Sequence, residues 1–419
     1  MQYNLLKFRR LFILYVVLVF SQQGHSQLSG NYFVPGSYPS ISAAVSDLNL
    51  QGISGPVIIN IQAGLIETSP AGGLVLTASG TSVNPITFQK IGPGPNPIIN
   101  AYAGGLGTPG TAVQDGIWRF IGSDYVTING IDLKDVNTTN PATMEYGYGF
   151  FKSSLTDGCQ NNTIQNCIIT LNTINNATGL GPAVDGSRGI NVVNALASAQ
   201  TTALSPTSSN GTNSTNLFYA NTIINCNVGI ALIGFAATSP FTLADIGNDI
   251  GGVTAVTGNK ILNFGGALGA TNPAAGIRTL AQYNCNVSYN QLNNNTGSGT
   301  NHVNALRGIY MNTATSANVT ITNNFITLNS AAIGAQVAAI ENVAGATAAN
   351  NTITITDNNI DNCSNLLNTT GSFYGIYNNS ANASYLSIQN NSFSNISTKA
   401  NTGTNYLIYN TGAVTNAIN

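Results

Sequence analysis

The chain has 419 residues, 43% hydrophobic but only 6% charged, with twelve Lys and Arg, fourteen Asp and Glu, and five Cys. Setting aside residues 1–26, which hold Lys7, Arg9 and Arg10, nine basic residues stand against fourteen acidic ones, a formal net charge of −5. This balance lacks the basic footprint of a nucleic-acid binder, and no segment after residue 26 supplies the roughly 20 apolar residues of a membrane span, so neither partner is expected.

Residues 1–26 run from basic residues through the apolar stretch Leu11 to Phe20 to Gly24-His25-Ser26, the order of a secretory signal cut after Ser26. No Cys follows the apolar stretch to carry a lipid anchor. A secreted or cell-surface location is therefore predicted.

Residues 38–50 place Ile41, Ala44, Val45 and Leu48 on one helical face, with Ser40 as N-cap and Gly52 just past the end. Strand-like segments follow at Pro56–Ile61, Pro85–Phe88 and Pro97–Ile99, between Gly and Pro turns. A short amphipathic helix leading into strands suits the capped end of a solenoid, so residues 27–114 are read as a cap with the first turns.

From about residue 115 a slot of six residues recurs, apolar at both ends and usually with Asn fourth. Its copies begin at Ile164, Ile223, Val256, Val287, Ile321, Ile355 and Ile388, and the fourth positions are Cys167, Cys226, Asn259, Asn290, Asn324, Asn358 and Asn391. From Cys226 onward the steps are 33, 31, 34, 34 and 33 residues. Such a period means a solenoid whose coils bury their apolar faces against one another. Asn suits the corner because it tolerates left-handed backbone and can hydrogen-bond to the next copy. The repeat region, 115–419, is read as one elongated unit, expected to be truncated because another corner falls due at Asn419. The pattern predicts free cysteines in the core at Cys167, Cys226, Cys285 and Cys363, and does not place Cys159.

A second motif accompanies the first: Gly116-Ile117-Trp118, Gly149-Phe150-Phe151, Gly189-Ile190-Asn191, Gly229-Ile230-Ala231, Gly276-Ile277-Arg278, Gly308-Ile309-Tyr310, Ala339-Ile340-Glu341, Gly375-Ile376-Tyr377, and near the end Tyr406-Leu-Ile-Tyr409. If each Ile points inward, the next residue points outward, and stacking spaces these residues by about 4.8 Å per coil. Five of the nine outward positions are aromatic, against 8% of the chain. Trp118, Phe151, Arg278, Tyr310, Tyr377 and Tyr409 are thus the candidate binding residues. Aromatic faces would stack on sugar rings while polar neighbours bind hydroxyls; the competing explanation is that aromatics merely suit strands.

The chain resembles the right-handed parallel β-helix proteins of the pectin lyase-like superfamily, through Ser42-Ala-Ala-Val-Ser-Asp-Leu48, through Val57-Ile-Ile-Asn-Ile-Gln-Ala-Gly-Leu-Ile-Glu67, and through the Asn corners. It is also similar to uncharacterised β-helix regions of surface-exported proteins from gliding-type bacteria. The resemblance implies an all-β solenoid with a short capping helix, and its motifs are structural. Polygalacturonase motifs such as Asn-Thr-Asp and Gly-His-Gly are absent, and the sole His beyond residue 26, His302, sits in Asn-His-Val. The pectin methylesterase pattern Gly-x-Tyr-x-Glu is replaced by Gly64-Leu-Ile-Glu67. Pectate lyases use an Arg or Lys base beside carboxylate-held calcium. For that chemistry Asp185 and Arg188 are the candidate pair, and Asp245 with Asp249 the candidate calcium ligands, against plain turn and surface roles. No cofactor is predicted, calcium being the one ion these residues would admit.

Three functions follow. The first is a secreted or surface-displayed binding or adhesion module for polysaccharide or cell-surface glycan. The second is a lyase or glycoside hydrolase acting on acidic polysaccharide. The third is a structural stalk.

Overall fold

The computed structural model describes residues 27–104, 113–137, 144–172, 182, 185–266, 272–346, 350–379, 383–399 and 402–418. The expected signal segment lies outside them.

The capping helix forms at Ile41–Gln51 and buries Ile41, Ala44, Val45 and Leu48. Ser40 accepts from the Ala43 amide at 3.0 Å, and Gly52 closes the helix at φ 64°. Glu67 adds a second cap, its carboxylate accepting from the Ile41 and Ser42 amides at 2.7 and 2.9 Å. A negative charge there meets the unpaired N–H groups and positive end of the helix dipole. Glu67 is therefore a capping residue.

Behind the cap the chain winds as a right-handed parallel β-helix, as β-crossover connections do. Three parallel sheets run its length. The first has 12 strands, from Leu28–Val34 to Val414–Ile418; the second has 10, from Ile66–Thr68 to Ser392–Ser394; the third has 10, from Leu74–Leu76 to Asn405–Asn410. Each coil gives one strand to each sheet. Inward columns fill the interior: Ile190, Ile230, Ile277, Ile309, Ile340 and Ile376 pair rung by rung in the third sheet and are fully buried. Each such side chain contributes about 1.5–3 kcal/mol.

The Asn ladder forms at the corner between the first and second sheets. Asn221, Asn259, Asn290, Asn324 and Asn358 each donate through Nδ2 to Oδ1 of the next copy, ending at Asn391, at 2.9 to 3.1 Å. The second Nδ2 hydrogen of Asn290 reaches the Ile250 carbonyl at 3.0 Å, and its Oδ1 accepts from the Asn259 amide at 3.2 Å, so a fully buried amide is satisfied. Two expectations are corrected. The corner in one coil is Asn221 rather than Cys226, because Phe218, not Ile223, is the inward residue of that first-sheet strand, and Ile223 belongs to the second sheet. Ile250 likewise replaces Val256, which is 85% exposed in a loop. The left-handed residue is also not the ladder Asn but the one before it, as at Asn166, Ala220, Tyr289, Asn323, Asp357 and Asn390.

All five cysteines are free and buried. Burial pushes the Cys159, Cys167, Cys285 and Cys363 thiols up to about 12, which keeps them protonated and unreactive.

Candidate functional site

The outer face of the third sheet concentrates the unusual residues. In most coils two successive residues turn inward, as Gly308 and Ile309 do. Gly is required because the second sheet crowds it: a Cβ on Gly308 would lie 2.8 Å from Ile326 Cγ2, and one on Gly147 would lie 2.7 Å from Ile169 Cγ2. The residues on either side of the inward pair then emerge on one face in two parallel columns. One column reads Tyr146, Arg188, Val228, Ala275, Arg307, Ala338, Tyr374 and Tyr406. The other reads Arg119, Gly149, Asn191, Ala231, Arg278, Tyr310, Glu341, Tyr377 and Tyr409. All four arginines beyond residue 26 stand in these columns.

The first half of this face is covered. Residues 196–216 fold back over it, with Asn194 Nδ2 donating to the Leu204 carbonyl at 2.6 Å and Gln200 Nε2 to the Tyr146 hydroxyl at 3.3 Å. Beneath lies a second small core of Tyr146, Phe151, Val193, Ala195, Val228, Ala231 and Ile233. Two predicted binding residues are corrected here. Phe151 points outward but is fully buried in this second core. Trp118 points inward, aligned with Tyr148 and Ile190, with its ring 5.2 Å from Phe88 and 5.9 Å from Phe120.

Arg188 is buried under the same cover. It donates through Nη1 to the Gly186 carbonyl at 2.5 Å and through Nη2 to Gln114, and its guanidinium lies 5.9 Å from the Tyr146 ring centroid. Burial brings its pKa down to about 10, opposed by Glu145, so it stays a cation at neutral pH and is no general base. Asp185 forms its ion pair with Arg278, at 3.7 Å, rather than with Arg188. The structure thus does not assemble the Asp185 and Arg188 pair as a catalytic site.

The second half of the face is open. Arg278 lies beside Tyr310 in one column, with 24% of its side chain exposed. Its guanidinium has no hydrogen-bond acceptor among the described residues, and its Nε is buried without a partner. Burial lowers its pKa, opposed by Asp185 and Tyr310. Arg307 lies over the Tyr310 ring, 4.3 Å from its centroid, and is ion-paired through Nε with Glu341, which also accepts from Gln336 at 2.8 Å. Burial raises the Tyr310 pKa, partly offset by Arg307.

Two coils further, Tyr374, Tyr377, Tyr406 and Tyr409 stack as a quartet. Centroids are 4.6 Å apart for Tyr374 and Tyr377, 5.5 Å for Tyr377 and Tyr409 and 4.5 Å for Tyr406 and Tyr409, with interplanar angles of 21°, 26° and 14°. Sequence reading found Tyr310, Tyr377 and Tyr409 but missed Tyr374 and Tyr406. Their signal was present: the residue before each Gly-Ile or Leu-Ile pair repeats with the same period and reaches the same face.

The candidate calcium ligands have other partners. Asp245 is buried 3.9 Å from Lys152 Nζ and accepts from the Asn213 amide at 2.9 Å; burial raises its pKa. Asp249 accepts from the Tyr219 hydroxyl at 2.7 Å, the Gly252 amide at 3.0 Å and Asn286 Nδ2 at 2.8 Å. Among the described residues no group of three or more His, Cys, Asp or Glu is placed to hold a metal.

No family model matches the chain, and no curated protein matches it. Among solved structures it is similar to an alginate lyase from Paenibacillus sp. str. FPU-7, at 14% identity and TM-score 0.45, covering 88% of this chain and 97% of that one. It is also similar to the GH136 lacto-N-biosidase from Eubacterium ramulus, at 14% identity and TM-score 0.43, covering 96% of this chain and 71% of that one. A third is the A-module of a mannuronan C-5 epimerase from Azotobacter vinelandii, at 13% identity and TM-score 0.30, covering 95% and 99%. These likenesses assign no residue of this chain a role.

Proposed function

We propose that the chain is a secreted or surface-displayed module that binds an acidic polysaccharide along the open half of the third sheet. The observation that carries this reading is the stacked quartet of tyrosines continuing, in the same columns, into Arg278, Arg307 and Tyr310. Aromatic faces take the C–H faces of sugar rings, and a guanidinium binds a planar carboxylate with two parallel hydrogen bonds. Arg278 supports the second role because its donors are unspent. A glycan laid along the solenoid axis meets one rung about every 4.8 Å, so several residues contribute weakly and together.

Binding is favoured over catalysis by the state of the charged groups. Glu341 and Asp185 are each committed to an arginine, and burial keeps Tyr310 a phenol rather than a phenolate base. A pair of free carboxylates for hydrolysis is not formed on the described part of this face.

The test is retention of residues 27–419 on immobilised polyuronates, with product release measured alongside. The expected outcome is retention that weakens as salt rises, is lost in the Tyr377→Ala/Tyr409→Ala double variant, and comes without unsaturated or reducing ends. Release of either product would show an enzyme, and no retention on any polyuronate would refute the reading.

A further inference from the structure

The corner between the first and second sheets is two residues long in most coils: residues 166–167, 220–221, 289–290, 323–324 and 357–358. Between Ile250 and Lys260 it is instead a loop, residues 251–259, that stands away from the solenoid with Val253 79% and Val256 85% exposed. The loop is held in place. The Gly252 amide donates to Asp249 at 3.0 Å, Asn286 Nδ2 donates to the Gly252 carbonyl at 3.1 Å, and Thr257 Oγ1 donates to the Gly251 carbonyl at 2.6 Å. It walls two adjoining cavities, of about 360 and 400 Å³, which share Tyr289 and Asn323.

Tyr289 is the anomaly at this corner. Its φ is 59°, and the equivalent residues of other coils are Asn166, Ala220, Asn323, Asp357 and Asn390. Asn and Asp tolerate left-handed backbone, whereas a bulky aromatic residue there is strained. The chain carries that strain beside the projecting loop, and strained residues cluster at ligand sites.

We propose that this corner is a second carbohydrate site, taking a neutral oligosaccharide across the Tyr289 ring. Tyr289 and Phe325 supply the aromatic surfaces. The side chains of Lys260, Gln291 and Asn323 make no hydrogen bond among the described residues, leaving donors and acceptors for hydroxyls. Asp249, the carboxylate in the second cavity, is spent on Tyr219, Gly252 and Asn286, so the site has no arginine and no free acid with which to select a charged sugar. The inference uses none of the residues of the third-sheet face.

The experiment is calorimetric titration of residues 27–419 with neutral gluco-, manno-, galacto- and xylo-oligosaccharides, repeated on Tyr289→Asn, Lys260→Ala/Gln291→Ala and Tyr377→Ala/Tyr409→Ala. Tyr289→Asn restores the residue type the backbone favours, so it should unfold at a higher denaturant concentration than the parent and yet bind roughly tenfold more weakly. Lys260→Ala/Gln291→Ala, which replaces exposed side chains, should weaken binding with unchanged stability, and Tyr377→Ala/Tyr409→Ala should leave this binding intact. Three results overturn the proposal: no oligosaccharide binds, Tyr289→Asn binds as the parent does, or the third-sheet double variant alone abolishes binding. Loss of polyuronate retention leaves this proposal standing, because it reports on the other face.

Discussion

The outer face of the third sheet is one surface with two fates. Both halves have the same strand register and arginines in the same columns, yet Arg188 is buried beneath residues 196–216 while Arg278 and Arg307 stand on the open side. Under the cover the aromatic residues became a second core, Tyr146 and Phe151 packing 5.5 Å apart at 57°, whereas in the open half they became a parallel stack. In a solenoid, therefore, the repeat decides which way a side chain points, and an insertion one coil away decides whether an outward side chain is core or ligand surface.

The largest test of this division compares Trp118 with Tyr409. Trp118→Ala should destabilise the fold by about 3–5 kcal/mol, since it empties a large volume between Phe88 and Phe120. Tyr409→Ala should change stability by less than about 0.5 kcal/mol while weakening retention on polyuronate. Denaturant midpoints read both, and similar losses at the two sites would erase the distinction between core and surface aromatics.

A second test uses acid. His302 is buried just before the Leu306–Met311 strand that carries Arg307 and Tyr310; the Gly266 amide donates to Nδ1 at 3.2 Å, and Nε2 lies 3.2 Å from the Ala305 carbonyl. Burial lowers its pKa from 6.5 to about 4, and a proton on Nδ1 would face an N–H already pointing at it. The unfolded chain then binds more protons than the folded one between these values. The contribution is fully present above pH 6.5 and is lost as pH falls toward 4, by about 3 kcal/mol. His302→Gln should flatten stability over that window, and an unchanged pH profile would refute the assignment.

The fold was legible because each coil repeats an inward Ile and a corner Asn, and a solenoid tolerates no other spacing of the two. The register failed in the first coils for a physical reason. From Gly189 onward the motif Gly faces inward beside a second-sheet residue, and in the preceding coil the residue so placed is Gly147, not Gly149. Gly149 instead lies under the Tyr146 and Phe151 rings, so aligning it with Gly189 put Phe151 on the surface. Trp118 was misplaced in the same way. Tyr310, Tyr377 and Tyr409 were legible because their coils keep the Gly-Ile or Leu-Ile order. The pairing of Arg278 with Asp185, 93 residues away, and the cover over Arg188 arise from loop paths that no periodicity encodes.

The smallest effect concerns the ladder, which holds Asn at Asn221 through Asn391 but Cys at Cys167, in the coil behind the covered half. There the Cys167 sulfur takes the Ile131 amide, a weak acceptor in a slot where Asn259 Oδ1 takes the Asn221 amide at 3.0 Å. An asparagine would accept from Ile131 through Oδ1 and donate through Nδ2 to Asn221 Oδ1, which already accepts from the residue 167 amide at 3.1 Å. Its remaining hydrogen would reach the Ile128 carbonyl, the counterpart of the Ile164 carbonyl that Asn221 Nδ2 meets at 2.8 Å. Cys167→Asn should therefore stabilise the chain by about 0.5–1.5 kcal/mol, the net value of one or two satisfied hydrogen bonds. A fall in the denaturant midpoint would mean that the covered half packs this corner as apolar core, and that its difference from the open half extends through the solenoid to the opposite side.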